Sequence, residues 1–322
     1  MTVVGTALTI RKARIMDPQE APTHDVIVVG GGPAGLGAAM SLGRLRRTVA
    51  VVDDQRPRNA PSNHVNNFPG HDGIDPRDWR RKVRDELTRY ASVSFVDDRV
   101  ADIEPVAGGF RATLVSGAEI PARKVMLGYG MVDVLPPLPG LREAWGTSVL
   151  HCPFCHGYEV AGQPLGLVGN VGMFSHLAPM LAGLTEDLIL FTHHTTLTDE
   201  QRRDLDGFPL VTDEIAAVVQ RTGQVEGVRL VTGETVPRRA LFLAASLPLT
   251  LQSDVGVKLG CRLTPTGHVA IDERGQTSVA GVFAAGDAVA FSSVLQSAAS
   301  GSLAGASLCF ELAHEDHGAR AR

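Results

Sequence analysis

The segment from Asp25 to Asp53 restricts the fold more than any other part of the chain. Asp25-Val-Ile-Val-Val-Gly30 is a short β-branched run of the kind found in buried parallel strands. Gly30-Gly31-Gly32-Pro33-Ala34-Gly35 follows at once and supplies Gly30-x-Gly32-x-x-Gly35. A helix rich in Ala, Leu and Gly is expected over Leu36–Arg47, then a second strand over Thr48–Asp53. In such a unit Gly30 permits the tight turn, Gly32 lets backbone approach a pyrophosphate, and Gly35 lets the helix lie against the strand. Pro33 and Ala34 open the helix, whose free N–H groups and dipole favour an anion. Asp53 closes the unit, placed to accept hydrogen bonds from a ribose. The pattern specifies a dinucleotide without choosing between FAD and NAD.

Cys152-Pro153-Phe154-Cys155 carries the chemistry. Two thiols separated by two residues can close a small disulfide ring and reopen it, a two-electron switch. Zinc is the alternative, with His151 and His156 flanking the pair, but zinc sites usually draw ligands from two separated knuckles. There is no second CxxC, and Cys261 and Cys309 stand alone, as buried core thiols do. No metal is expected.

At 322 residues the chain is long enough for about two domains. Its net charge of −5 gives nothing to attract nucleic acid or an anionic membrane. The longest apolar stretch, Ala240–Leu251, contains Ser246 and Pro248 and is too short to span a bilayer. No basic-then-apolar leader precedes the first strand, and four cysteines do not make a secreted disulfide scaffold. A cytoplasmic protein is expected, with residues 1–23 as an N-terminal extension.

Near the other end, Gly281-Val-Phe-Ala-Ala-Gly286-Asp287 reads as a buried strand ending in Gly-Asp, and Leu295–Gly301 as the start of a small-residue helix. With these segments in place the chain resembles the low-molecular-weight thioredoxin reductase family of flavoproteins from Asp25 to about Leu312. The resemblance implies FAD. It implies that Gly286 and Asp287 bind the ribityl and phosphate region, that Gln296 and Ser297 lie against the isoalloxazine, and that Asn67, in Val65–Gly70, contacts the flavin. It also implies an α/β fold of two Rossmann-like three-layer domains, with a central domain inserted in a discontinuous FAD domain. The FAD-binding pieces are expected over residues 24–130 and 248–318 and the central CxxC domain over 131–247. Pro-rich Val134–Gly140 leads in and Ala244–Leu251 leads back. A homodimer is implied by resemblance alone.

Two departures from that family bear on function. The central domain of a thioredoxin reductase binds NADPH at a second glycine turn, which here is Gly169-Asn170-Val171-Gly172-Met173-Phe174. Val171 stands at the close-approach glycine, where a side chain obstructs a pyrophosphate. The following strand leads to His193-His194, with no cluster of cations for a 2′-phosphate. NADPH binding is therefore expected to be lost.

The second departure is His156-Gly157-Tyr158-Glu159 after the second cysteine, in place of that family's Asp-Gly. Cys-Pro-Phe-Cys-His-Gly-Tyr-Glu is similar to the FAD-dependent dithiol oxidases that close disulfides in natural products such as gliotoxin, holomycin and romidepsin. That resemblance implies oxidation of a small-molecule dithiol, with Cys155 on the flavin side, Cys152 on the substrate side, and O2 reduced to H2O2. His156 is the expected base, with His151 as the alternative. Residues 58–68 and the Trp145 region are candidate walls of the substrate pocket. A flavin-dependent disulfide reductase using NADPH or another reductant is the rival function.

Overall fold

The computed structural model describes residues 23–244 and 249–320. The expected N-terminal extension and the middle of the expected return connector lie outside the described residues.

The predicted βαβ unit forms. Strand β1 (His24–Val29) is followed by helix α1 (Pro33–Arg44) and strand β2 (Val49–Val52), with β1 and β2 parallel and Val26 opposite Val49. Helix α2 (Pro76–Leu87), capped by the Asp75 carboxylate, leads to β3 (Val93–Val96), which extends the sheet beyond β2. An antiparallel meander follows, made of β4 (Val100–Val106), β5 (Gly109–Leu114) and β6 (Glu119–Leu127). The second half of β6 returns to lie parallel with β1.

The chain then crosses to a second sheet through β7 (Met131–Asp133) and α3 (Leu141–Ala144). β8 (Val149–Leu150) enters that sheet and delivers the short helix α4 (Pro153–His156). β9 (Leu165–Gly169), α5 (Phe174–Ala182), β10 (Leu188–Phe191), α6 (Asp199–Asp204) and β11 (Leu210–Val211) continue it. Strands β12 (Ile215–Arg221), β13 (Gln224–Leu230) and β14 (Thr235–Pro237) form a separate antiparallel sheet, and β15 (Ala240–Ala244) completes a parallel sheet in the order β11-β10-β9-β15-β8. The chain returns through β16 (Leu249–Leu251), which pairs antiparallel with β7, so the two crossings run side by side. After α7 (Val255–Lys258), β17 (Val282–Ala284) pairs parallel with β6, and α8 (Val294–Arg320) ends the described chain.

Each parallel sheet is covered on both faces, which explains its unbroken apolar strands. In the first, Leu36, Leu42, Trp79 and Leu308 pack beneath the helices, while Ile103, Phe110 and Leu114 of the meander cover the other face. In the second, Phe174, Leu177 and Leu181 of α5 lie on one face and Ile215, Val218 and Val228 on the other. The result is two three-layer α/β units, the second inserted between the strands of the first.

Helices α1 and α8 approach backbone to backbone. A Cβ added at Gly301 would stand 1.9 Å from the Ala34 carbonyl oxygen, so only glycine fits there. The small-residue composition of both helices is thus a packing requirement, and it brings their two N-termini to one place.

Candidate active site

One cavity is lined both by the α1 turn and by Cys155 of the redox pair. Gly30, Gly32, Pro33, Ala34 and Asp53 line one end, Asp287 and Ser297 the middle, and Cys155 and His156 the other. At the first end Gly30 holds φ +100°, and a Cβ there would lie 2.7 Å from the Gly128 carbonyl oxygen. A Cβ on Gly32 would meet nothing within 4 Å, so open space stands where a phosphate would approach. No side chain caps α1 at Gly32, which leaves its first N–H groups directed at the cavity. Asp53 is buried against α2, where its Oδ2 accepts from Arg80 Nη2 at 2.5 Å, and Arg84 stands 3.5 Å away. Arg80 also donates to the Gly31 carbonyl at 3.3 Å, so one guanidinium fixes both the turn and the acid. These residues fit an extended dinucleotide with its pyrophosphate at α1.

At the far end Cys152 and Cys155 form a disulfide. β8 ends at Leu150, and α4 starts immediately after Cys152, which places the pair on a tight turn. The Cys155 backbone N–H points at the Cys152 sulfur, 3.2 Å away. Asn66, from the loop between β2 and α2, donates its amide to the Cys155 carbonyl oxygen at 2.8 Å. That bond ties the redox turn to the dinucleotide-binding unit.

Three histidines surround this end: His64, His151 and His156 all line the cavity. His151 is stacked on Trp145 at 5.5 Å between centroids and meets the edge of Phe291 at 5.5 Å. Burial, and then the charge of Arg58, lower its pKa to about 4. Burial also lowers the pKa of His156, with Glu159 opposing and His64 assisting. Both rings are therefore neutral near pH 7.

Between the two ends sits a cluster that sequence reasoning did not identify as such. Arg58 donates through Nε and Nη2 to the two oxygens of Asp133, at 2.8 and 2.6 Å, and through Nη1 to Asp287 Oδ2 at 2.9 Å. Its guanidinium carbon lies 4.7 Å from the centre of the Phe291 ring. The other oxygen of Asp287 accepts from the Ser292 N–H at 2.9 Å.

Not every residue named from the sequence faces the cavity. Gly35 packs instead: its Cβ would stand 1.9 Å from the Gly30 carbonyl oxygen. Gly286 forms the turn before Asp287 and donates its N–H to Ser300 Oγ at 3.1 Å. Asn67 departs from expectation. It occupies the left-handed region at φ 58°, donates its N–H to the Asp72 carboxylate at 2.7 Å, and leaves the cavity to its neighbour Asn66. Gln296 is spent on a reciprocal cap with Ser293, at 3.0 and 3.2 Å, and only Ser297 reaches the cavity. Asn66 rather than Asn67 lines the cavity, and a glutamine three positions after a serine at a helix start serves here as a cap. The 58–68 loop and Trp145 do line the cavity.

The second glycine turn does not match the first. Asn170 Oδ1 accepts from the Gly172 N–H at 3.0 Å, so the turn's own side chain consumes an amide that would face a phosphate. Val171 is buried with Phe174 and Leu177 in the core beneath α5. After β10, His193 Nδ1 accepts from the Ile215 N–H at 2.9 Å and His194 lies 3.5 Å from Glu214, which places a carboxylate beside the end of the strand. The residues present do not fit NADPH.

A redox disulfide at the end of a dinucleotide cavity defines a disulfide-linked oxidoreductase. The chain belongs to the pyridine nucleotide-disulphide oxidoreductase family, whose model matches residues 24–240. Within it the chain is thioredoxin reductase-like and of flavoprotein type. It is 32% identical to "Thioredoxin reductase aclD" of Aspergillus oryzae over 92% of this chain and 98% of that protein. A relative in Arthroderma benhamiae is 40% identical over 189 residues, which is 56% of this chain and 47% of that one. Among solved structures, HlmI superposes with a TM-score of 0.87 at 36% identity, covering 93% of this chain and 95% of that one.

Proposed function

We propose that the protein is an FAD-dependent dithiol oxidase that closes an intramolecular disulfide in a small-molecule substrate, a natural-product precursor, with O2 as the final acceptor and H2O2 as the product. The observation that carries this direction of electron flow is the second glycine turn, closed by Asn170 and Val171 while the first stays open. Without hydride from NADPH, the thiols of a dithiol substrate are the electron source that the Cys152–Cys155 pair fits.

The residues divide the work as follows. Gly30, Gly32 and the α1 N-terminus hold the FAD pyrophosphate, Asp53 a ribose, Asp287 the ribityl and phosphate region, and Ser297 the flavin ring. Bound FAD supplies a two-electron acceptor for the reduced cysteine pair, and O2 takes those two electrons with the two thiol protons. Cys155 lines the cavity and serves the flavin side, which leaves Cys152 to substrate. A substrate thiolate attacks Cys152 and breaks its bond to Cys155, giving a mixed disulfide. The second substrate thiol displaces Cys152, closes the product and leaves both cysteines reduced. The Cys155 N–H at 3.2 Å stabilises the Cys152 thiolate released in that step. His156, beside Cys155 and neutral, accepts the substrate proton. His151 is less suited, because it is clasped between two aromatic rings and is the weaker base.

The working unit is inferred to be a homodimer. Leu295, Leu303 and Phe310 leave an exposed apolar stripe along α8, and a second copy of the chain supplies the cover. The rival reading, a flavin-dependent disulfide reductase, has the names of the relatives in its favour.

Anaerobic stopped-flow absorbance decides between them. The purified yellow protein should bleach when mixed with a small dithiol, recover in air with H2O2 formed, and not respond to NADPH. Rapid bleaching by NADPH would sink the oxidase reading in favour of the reductase.

A further inference from the structure

Arg58 stands where the walls of the cavity meet. It comes from the loop after β2. Asp133 belongs to β7, the outward crossing, and Asp287 and Phe291 belong to the segment between β17 and α8. The side chains of Arg58, Asp133 and Asp287 are only 15%, 6% and 16% exposed, and all three line the cavity. Two nearly buried carboxylates thus share one guanidinium, and the cluster carries a net charge of one negative.

Such a cluster is held together by its cation. A planar fork can meet one carboxylate in two bonds and still offer a third nitrogen to the other, which an ammonium cannot do in the same geometry. Removing the cation would leave two uncompensated carboxylates in low dielectric, a cost well above that of a lost surface pair. It would also move the local charge from minus one to minus two in the middle of the site.

We propose that Arg58 is a positioning residue that sets the flavin's reduction potential, by neutralising one of the two carboxylates that converge on the middle of the cavity and by fixing Asp287 in its binding orientation. This rests on reading the cavity as an FAD site. Reduced flavin carries more negative charge than oxidised flavin, so each added local negative charge disfavours reduction. The potential should therefore follow the charge of the Arg58–Asp133–Asp287 cluster rather than its packing.

The test is the flavin potential of four holoproteins by anaerobic dye equilibration: wild type, Arg58→Met, Asp133→Asn, and the two substitutions combined. Local charges are minus one, minus two, zero and minus one. The expected order is Asp133→Asn highest, wild type and the double variant together, and Arg58→Met lowest. Arg58→Met should also hold FAD roughly tenfold more weakly. A packing role would leave the double variant at least as perturbed as Arg58→Met, so its return toward wild type is the decisive reading. If Arg58→Met fails to fold, Asp133→Asn against wild type still tests the idea, and equal potentials in those two overturn it. Normal FAD binding and dithiol bleaching with no order among the potentials overturns this inference and leaves the oxidase intact. A wild-type protein that binds no FAD overturns both.

Discussion

Asn66 donates its side-chain amide to the carbonyl oxygen of Cys155 at 2.8 Å, which joins the dinucleotide-binding unit to the redox turn across 89 residues of sequence. A single neutral hydrogen bond of this kind contributes about 1 kcal/mol. Asn66→Ala should retain FAD and slow bleaching by dithiol about fivefold, because the Cys155 turn is held less firmly at the cavity. Single-turnover absorbance reads both quantities, and an unchanged rate would show that α4 holds its position unaided.

The cysteine pair separates binding from chemistry. Both residues lie on a half-buried surface turn, outside the two hydrophobic cores. Cys152→Ser and Cys155→Ser should each keep stoichiometric FAD and lose oxidation of the dithiol to below a thousandth. Mixing Cys152→Ser with a dithiol should leave its flavin oxidised. Substantial turnover in both variants would remove the disulfide from the mechanism.

Helix contact makes the third prediction. The Cβ of Gly301→Ala would stand 1.9 Å from the Ala34 carbonyl oxygen, an impossible contact, so α8 has to move off α1. Overpacking of this kind costs about 1–3 kcal/mol. Because Ala34 and Ser297 both line the cavity, FAD should be lost with stability. Thermal melts with and without added FAD measure the two losses. A variant with wild-type melting and full flavin would mean that the helices part without cost.

Much of this site was legible in the sequence where the interactions are local. Gly30 to Asp53 is one supersecondary unit, and each glycine has a steric reason visible in the spacing alone. Cys152 and Cys155 are three residues apart, so their pairing needed no tertiary information. Arg58 was hidden, since its partners Asp133 and Asp287 are 75 and 229 residues away and nothing in the loop marks which acid it meets. His64 lies in the 58–68 segment, but nothing in that segment marks it as a neighbour of His156. No motif marked the β12–β14 sheet, whose strands are built from apolar alternation alone. Asn66 and Asn67 are identical in type, and only the left-handed backbone at Asn67 decides which side chain faces the cavity.

The histidines make pH a separate probe of stability and of rate. His151 is half-buried as the neutral ring, with its pKa lowered to about 4 from 6.5 by desolvation. Above pH 6.5 neither the folded nor the unfolded form holds this proton, and the group leaves stability unaffected. As pH falls below 6.5 the unfolded chain takes up the proton first, so stability declines until the folded form also titrates near pH 4. The full difference approaches about 3 kcal/mol. His151→Asn should flatten the decline in urea midpoints between pH 6.5 and 4, and an equally steep decline in that variant would assign the loss to other groups. The rate is expected to depend on His156 instead. Its lowered pKa puts the loss of base function below the ordinary imidazole value, so kcat/KM for the dithiol should fall on the acid side with one proton taken up. His156→Gln should remove that limb and lower the plateau about a hundredfold. If the limb persists in His156→Gln and vanishes in His151→Asn, the base is His151.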